Sequence, residues 1–139
     1  MSAASMDALR ETEVLVVGGG PAGASVAWHL ARLGVDVTVV DRAQFPRDKV
    51  CAEYLSPEGS RLLAKMGVLQ TIEEAGAAHL DGMLVRAPGG GEIKGYFGAR
   101  HGFRGFRDQG LGIRRMILDD ALLSCAKRAG ARVLEQMQV

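Results

Sequence analysis

At 139 residues, with 47% hydrophobic and 24% charged positions, the chain is long enough for one domain with a sizeable core. No apolar run approaches the roughly 20 residues that span a bilayer. The polar start "MSAASMDALRETE" lacks the basic flank and apolar core of a signal peptide. A net charge of +1 gives no global pull on nucleic acid or anionic membrane, and two cysteines make no disulfide framework, which fits a reducing cytoplasm.

Residues 1–12 read as a flexible tail, and 13–139 as the N-terminal part of one nucleotide-binding domain. Val14 to Val17 form a β-branched and leucine run, predicting a strand buried on both faces. Pro21 to Leu33 predict a helix stopped by Gly34, and Val35 to Val40 a second buried strand. Together they form a βαβ unit, the signature of a Rossmann-like α/β fold with a parallel sheet. Pro46 breaks the segment that follows. Ser56-Pro57-Glu58 then signals a helix start, ended near Gly67, with a short helix over 70–74.

Residues 81–112 change character. "DGMLVRAPGGGEIKGYFGA" predicts two strands joined by the Pro88–Gly91 turn, a β excursion of the kind that hosts substrate contacts. "YFGARHGFRGFR" interleaves aromatics with arginines. An RNA-binding segment would look similar, but alternating strand residues account for it more simply, aromatics inward and arginines to water. Arg115 to Ala129 predict a helix with Leu118, Leu122 and Ala126 on one face, and "ARVLEQMQV" a closing strand. Cys125 falls in the core, and a buried structural place is also the simpler expectation for Cys51. His29 and His79 have no metal-ligand spacing around them, so no metal site is expected.

Glycine is the compositional outlier, with 19 residues, about twice average usage. Gly18, Gly20 and Gly23 spell G-x-G-x-x-G between a strand and a helix. The first glycine permits a tight turn, the second lets backbone N–H groups approach a pyrophosphate, and the third brings helix and strand together. The helix N-terminus adds free donors and a positive dipole end. Asp41 ends the second strand 21 positions after Gly20, where a carboxylate can accept ribose hydroxyls. An acid there favours a free 2′-hydroxyl, hence FAD or NAD over NADP. An NAD-binding dehydrogenase, a nucleotide sensor or a non-catalytic interaction module stay open from these residues alone.

The stretches "GGGPAGASVAWHLARLGVDVTVVDR", "FPRDKVCAEYLSPEGSRLLAKMGV" and "RRMILDDALLSCAKRAGA" go further. They resemble FAD-dependent oxidoreductases of the aromatic-ring hydroxylase, geranylgeranyl reductase and flavin-dependent halogenase type. The resemblance covers residues 13 to 139 and implies FAD as cofactor, with Pro21 and Ala22 filling the positions before Gly23. It implies that the loop from Arg42 through Arg47 to Cys51 passes over the ribose and flavin region. It also implies Arg115 near the pyrophosphate or ribityl chain, and the Val139 backbone near the adenine. It further implies a monooxygenase or reductase acting on a hydrophobic or aromatic small molecule, with NAD(P)H as a candidate electron donor. No nucleic-acid partner and no transmembrane segment are expected, though a longer parent has room for peripheral membrane contact. Ala52 departs from the family's glycine. Relatives continue past this point with a second FAD motif, so the chain is expected to be a fragment with an incomplete flavin pocket.

Overall fold

The structure, a computed structural model, describes residues 11–51, 53–98, 102 and 104–139. Ala52, whose identity departs from the family pattern, lies outside them. The chain divides into two compact units: one from residues up to Lys49 together with Met116–Val139, the other from Val50–Arg115.

The first unit opens with β1 (Val14–Val17), α1 (Pro21–Arg32) and β2 (Val37–Val40), and after the second unit continues through α4 (Arg115–Arg128) to β8 (Arg132–Leu134). All three strands are parallel, in the order β1-β2-β8, with Val14 opposite Val37 and Val39 opposite Val133. The mixed α/β fold with a parallel, Rossmann-like sheet therefore matches the sequence expectation. β2 sits in the middle and all four of its side chains are buried. Its neighbours in the core are Ala24, Ala27 and Trp28 of α1, with Leu118, Leu122, Leu123, Cys125 and Ala126 of α4 buried in the same unit. Small residues at 24 and 27 let α1 lie close to the sheet. α1 stops where Gly34 turns to φ +81°.

Two expectations fail here. β1 is not buried on both faces: Leu15 is 51% and Val17 66% exposed. Among the described residues β1 pairs only with β2, so it is an edge strand, and α1 approaches it on the Val16 side. A continuous apolar run looks the same whether one face is covered or both. The last strand is also shorter than expected, ending at Leu134. Beyond it the backbone follows residues 41–43, with Met137 N–H donating to Asp41 O (2.9 Å) and Gln136 N–H to Ala43 O (3.3 Å).

The second unit holds β3 (Tyr54–Leu55), α2 (Pro57–Lys65), α3 (Leu69–Glu74), β4 (Ala78–Leu80), β5 (Gly82–Arg86), β6 (Glu92–Tyr96) and β7 (Gly110–Gly112). Ser56 caps α2, its hydroxyl accepting from Gly59 N–H at 3.1 Å. β7 lies between β3 and β4 in an antiparallel sheet whose long-range pairings no local pattern announces. Leu63, Met66, Val68, Ile72, Leu111 and Ile113 make this unit's core. β5 and β6 pair as a separate hairpin across the Pro88–Gly91 turn.

The arginine–aromatic stretch also departs from expectation. Strand structure stops at Tyr96, and Ala99, Arg100, His101 and Phe103 lie outside the described residues. Phe106 is exposed, whereas Arg107 turns inward to Glu73 (2.7 Å) and His79 Nδ1 (3.2 Å). An available carboxylate outweighs the alternation rule. Cys51 is exposed rather than buried, in the irregular segment after Pro46.

The contrast between β1 and β2 gives a direct stability test. Val39→Ala, in the fully covered central strand, should destabilise the protein by about 2–3 kcal/mol. Val17→Thr, on the open face of the edge strand, should stay within about 0.5 kcal/mol. Urea unfolding of both variants checks this, and equal losses would contradict the edge position of β1.

Candidate functional site

The turn between β1 and α1 is shaped by glycines that leave no room for side chains. Gly18 takes φ +103° and donates its N–H to Val40 O at 2.8 Å, closing the end of β1 against β2. A Cβ on Gly23 would lie 1.9 Å from Gly18 O, so only glycine lets the helix start this close to the strand. Gly20 is the N-cap of α1, and Ala24 N–H to Gly20 O (2.9 Å) is the first intrahelical bond. Pro21 has no N–H to offer. The N–H groups of Ala22 and Gly23 therefore precede the helical ladder. No side chain caps this end and no acidic residue sits in its first turn, so the positive end of the helix is open to an anion.

Asp41 closes the turn from the end of β2. Its Oδ2 accepts the Gly19 N–H at 2.7 Å and its Oδ1 the Ala43 N–H at 2.9 Å. A carboxylate offers about four lone-pair sites, so about two remain for further donors. Burial by itself pushes the Asp41 carboxyl upward. The N–H groups of Ala43 and Gly19, with the charges of Arg47 and Arg42, outweigh it and hold the group below its ordinary 3.8. Asp41 is thus a buried anion at neutral pH with its orientation set by backbone.

The structure brings Gly18, Gly20, Pro21, Ala22, Gly23, Asp41, Arg42 and Arg47 together in one unit. Arg42 is exposed beside Asp41. Arg47 is not a free cation: its Nη1 lies 3.2 Å from Oδ2 of Asp119, which is 0% exposed, and its guanidinium carbon sits over the Phe45 ring, 4.8 Å from the centroid. Arg115 opens α4 as a buried residue and is grouped with the second unit. Val139 has an exposed side chain two positions past the stretch that pairs with residues 41–43.

Three residues went unrecognised in the sequence. Gly19 donates to Asp41, and a Cβ there would stand 3.2 Å from Phe45 Cζ and 3.3 Å from both Leu123 methyls. Asp119 was visible as the acid of the quoted "RRMILDDALL" stretch, but no role was expected of it. Glu135 accepts the Phe45 N–H (3.1 Å) and pairs with Lys127 (2.9 Å), 90 positions from the loop it secures. Lys127 and the Phe45 N–H hold the Glu135 carboxyl below its ordinary 4.5, against the opposing effect of burial.

Both carboxyls are depressed in the folded chain, so each contributes stability above its unfolded value that disappears as pH falls through the folded one. Unfolding free energy should therefore be level near neutrality and fall once the pH drops below about 4.5 and then 3.8. The Asp41→Asn and Glu135→Gln double variant should show a shallower acid slope in urea melts between pH 7 and pH 3. An unchanged slope would remove these two groups from the account.

Known proteins resemble this chain. Residues 11–135 match the family described as FAD binding domain. A menaquinone reductase of Mycobacterium tuberculosis is 37% identical over 123 residues, covering 88% of this chain and 28% of that protein. The solved structure of the myxobacterial chondrochloren halogenase CndH, an FAD-dependent halogenase, superposes with a TM-score of 0.76. It is 27% identical, over 90% of this chain and 28% of that one. A geranylgeranyl bacteriochlorophyll reductase-like protein from Thermoplasma acidophilum shares the fold, with a TM-score of 0.70 and 24% identity over 90% of this chain and 30% of that one. The chain thus spans less than a third of each of these relatives. No helix among the described residues is long and apolar enough to cross a membrane. The family match runs through both the glycine turn and the acid that closes it, and the chain accordingly belongs to the FAD binding domain family.

Proposed function

We propose that this chain holds the adenosine diphosphate end of FAD for an oxidoreductase acting on a hydrophobic or aromatic small molecule. One observation carries this: a single carboxylate, Asp41, both orders Gly19 and keeps acceptor sites open beside the uncapped start of α1. Gly18, Gly20 and Gly23 shape the turn, Pro21 preorganises the helix start, and Ala22 and Gly23 present N–H groups to a diphosphate. Asp41 accepts ribose hydroxyls and, as a fixed anion, repels a 2′-phosphate. Arg42 supplies an exposed positive charge beside it, with Arg47 adding to the local field. Arg115 and the Val139 backbone join this assignment on the family pattern alone.

Bound FAD supplies the two-electron redox chemistry, while the protein positions it and excludes water. The name of the menaquinone reductase points to a quinone with an apolar tail as the substrate of that similar protein, which favours a hydrophobic substrate here. NAD(P)H as electron donor and a cytoplasmic setting belong to the same proposal.

Titration of the 139-residue chain with FAD, ADP, 2′-phospho-ADP and NAD tests it. FAD and ADP should bind within about tenfold of each other, because the contacts argued above all fall on the shared ADP end. The 2′-phosphorylated analogue should bind more weakly. Asp41→Asn should weaken FAD and ADP by about 10–100-fold, the effect of losing hydrogen bonds to a charged acceptor. Tight NAD binding without FAD binding would replace this function with that of a nicotinamide-dependent protein.

A further inference from the structure

We propose that Asp119 is a positioning residue for this site, its buried carboxylate holding the Arg47 guanidinium over Phe45 so that Asp41 stays open to a ribose. The inference rests on the proposed role of Asp41 in receiving the ribose of an adenosine diphosphate.

Arg47 has two carboxylates within reach of its field. Its charge acts on Asp41, yet its ion pair is with Asp119, and among the described residues none joins Arg47 to Asp41. Burial explains the choice. Asp119 is 0% exposed, so its charge must be met by groups of the protein, of which Arg47 is one, whereas Asp41 takes two backbone N–H groups. The side chain of Arg47 is itself only 16% exposed. Its guanidinium carbon sits over the Phe45 ring, 4.8 Å from the centroid, and a Cβ on Gly19 would approach that ring to 3.2 Å. Phe45 is anchored through its N–H to Glu135, and Glu135 to Lys127. The position of Arg47 is therefore linked to the glycine turn through a packed ring whose backbone is separately secured.

Without the charge on Asp119, Asp41 is the buried anion that already feels the Arg47 charge. An Arg47–Asp41 pair takes up the acceptor sites a ribose needs, and the site is closed by its own cation. Asp119 thus acts through Arg47, with no contact to the ligand required.

The test has two readouts on the 139-residue chain. In the ligand-free protein, the Asp41 carboxyl is followed by carbon-13 NMR through an acid titration. Asp119→Asn should move its midpoint to lower pH, and the Arg47→Gln/Asp119→Asn double variant should bring it back up. For ADP, Asp119→Asn should weaken binding about tenfold, and the double variant should bind at least about fivefold better than Asp119→Asn. An unmoved Asp41 midpoint in Asp119→Asn, or a double variant no better than the single one, would overturn the proposal and leave Asp119 a purely structural anion. Should Asp119→Asn fail to fold, Arg47→Lys keeps the buried carboxylate paired while losing the guanidinium over Phe45. Because the pair with Asp119 is kept, the Asp41 midpoint should stay at its wild-type value, and a lowered midpoint would overturn the proposal. A wild-type chain that binds no ADP would defeat the proposed function, while the ligand-free titration would still decide the role of Asp119.

Discussion

The carboxylate of Asp41 joins two backbone segments that sequence alone keeps apart. One oxygen takes the N–H of Gly19, 22 positions earlier, and the other takes the N–H of Ala43 just beyond the end of β2. The same residue's main chain is bonded to Leu134 and Met137 from the end of the chain. Three segments thereby meet around one buried anion. Each of these N–H groups sits where a regular strand or helix bond is unavailable, so the carboxylate satisfies donors that would otherwise lack a partner. It cannot be exchanged for an apolar residue without stranding both donors. That is why the geometry of the turn, the loop after β2 and the tail after β8 stand or fall together.

Around this anion the less hydrated charges are paired. Arg42 remains exposed, Arg47 goes to the fully buried Asp119, and Lys127 goes to Glu135. The distribution follows solvent access: the least hydrated carboxylate obtains the guanidinium, whose planar fork suits a partly buried pair. The better-solvated positions keep open valences. A ligand site needs that asymmetry. A pocket whose acceptors were all neutralised by its own cations would have little left with which to recognise a sugar.

Steric limits matter as much as charge. Gly23 has to be glycine because the carbonyl of Gly18 fills the space a Cβ would need, and Gly19 is hemmed in by Phe45 and Leu123. The first constraint comes from residues five positions apart and belongs to the turn itself. The second is imposed by a loop and a helix much later in the chain.

That difference separates what could be read from residues alone from what could not. The βαβ unit, the glycine turn and Asp41 were legible because their signals are local: strand runs, helix stops and backbone conformations that glycine alone adopts easily. Gly34, Gly67 and Gly130, with φ of +81°, +74° and +110°, end their helices for that reason. The resemblance in the three quoted stretches extended this to FAD. Tertiary structure alone decided that β1 lies at the sheet edge among the described residues, that Arg107 turns inward to Glu73, and that Arg47 belongs to Asp119. Sequence determines which groups need burial or a partner, since that is a property of each side chain and its near neighbours. Which partner each obtains depends on the distances that folding creates between remote segments, and no local pattern encodes those.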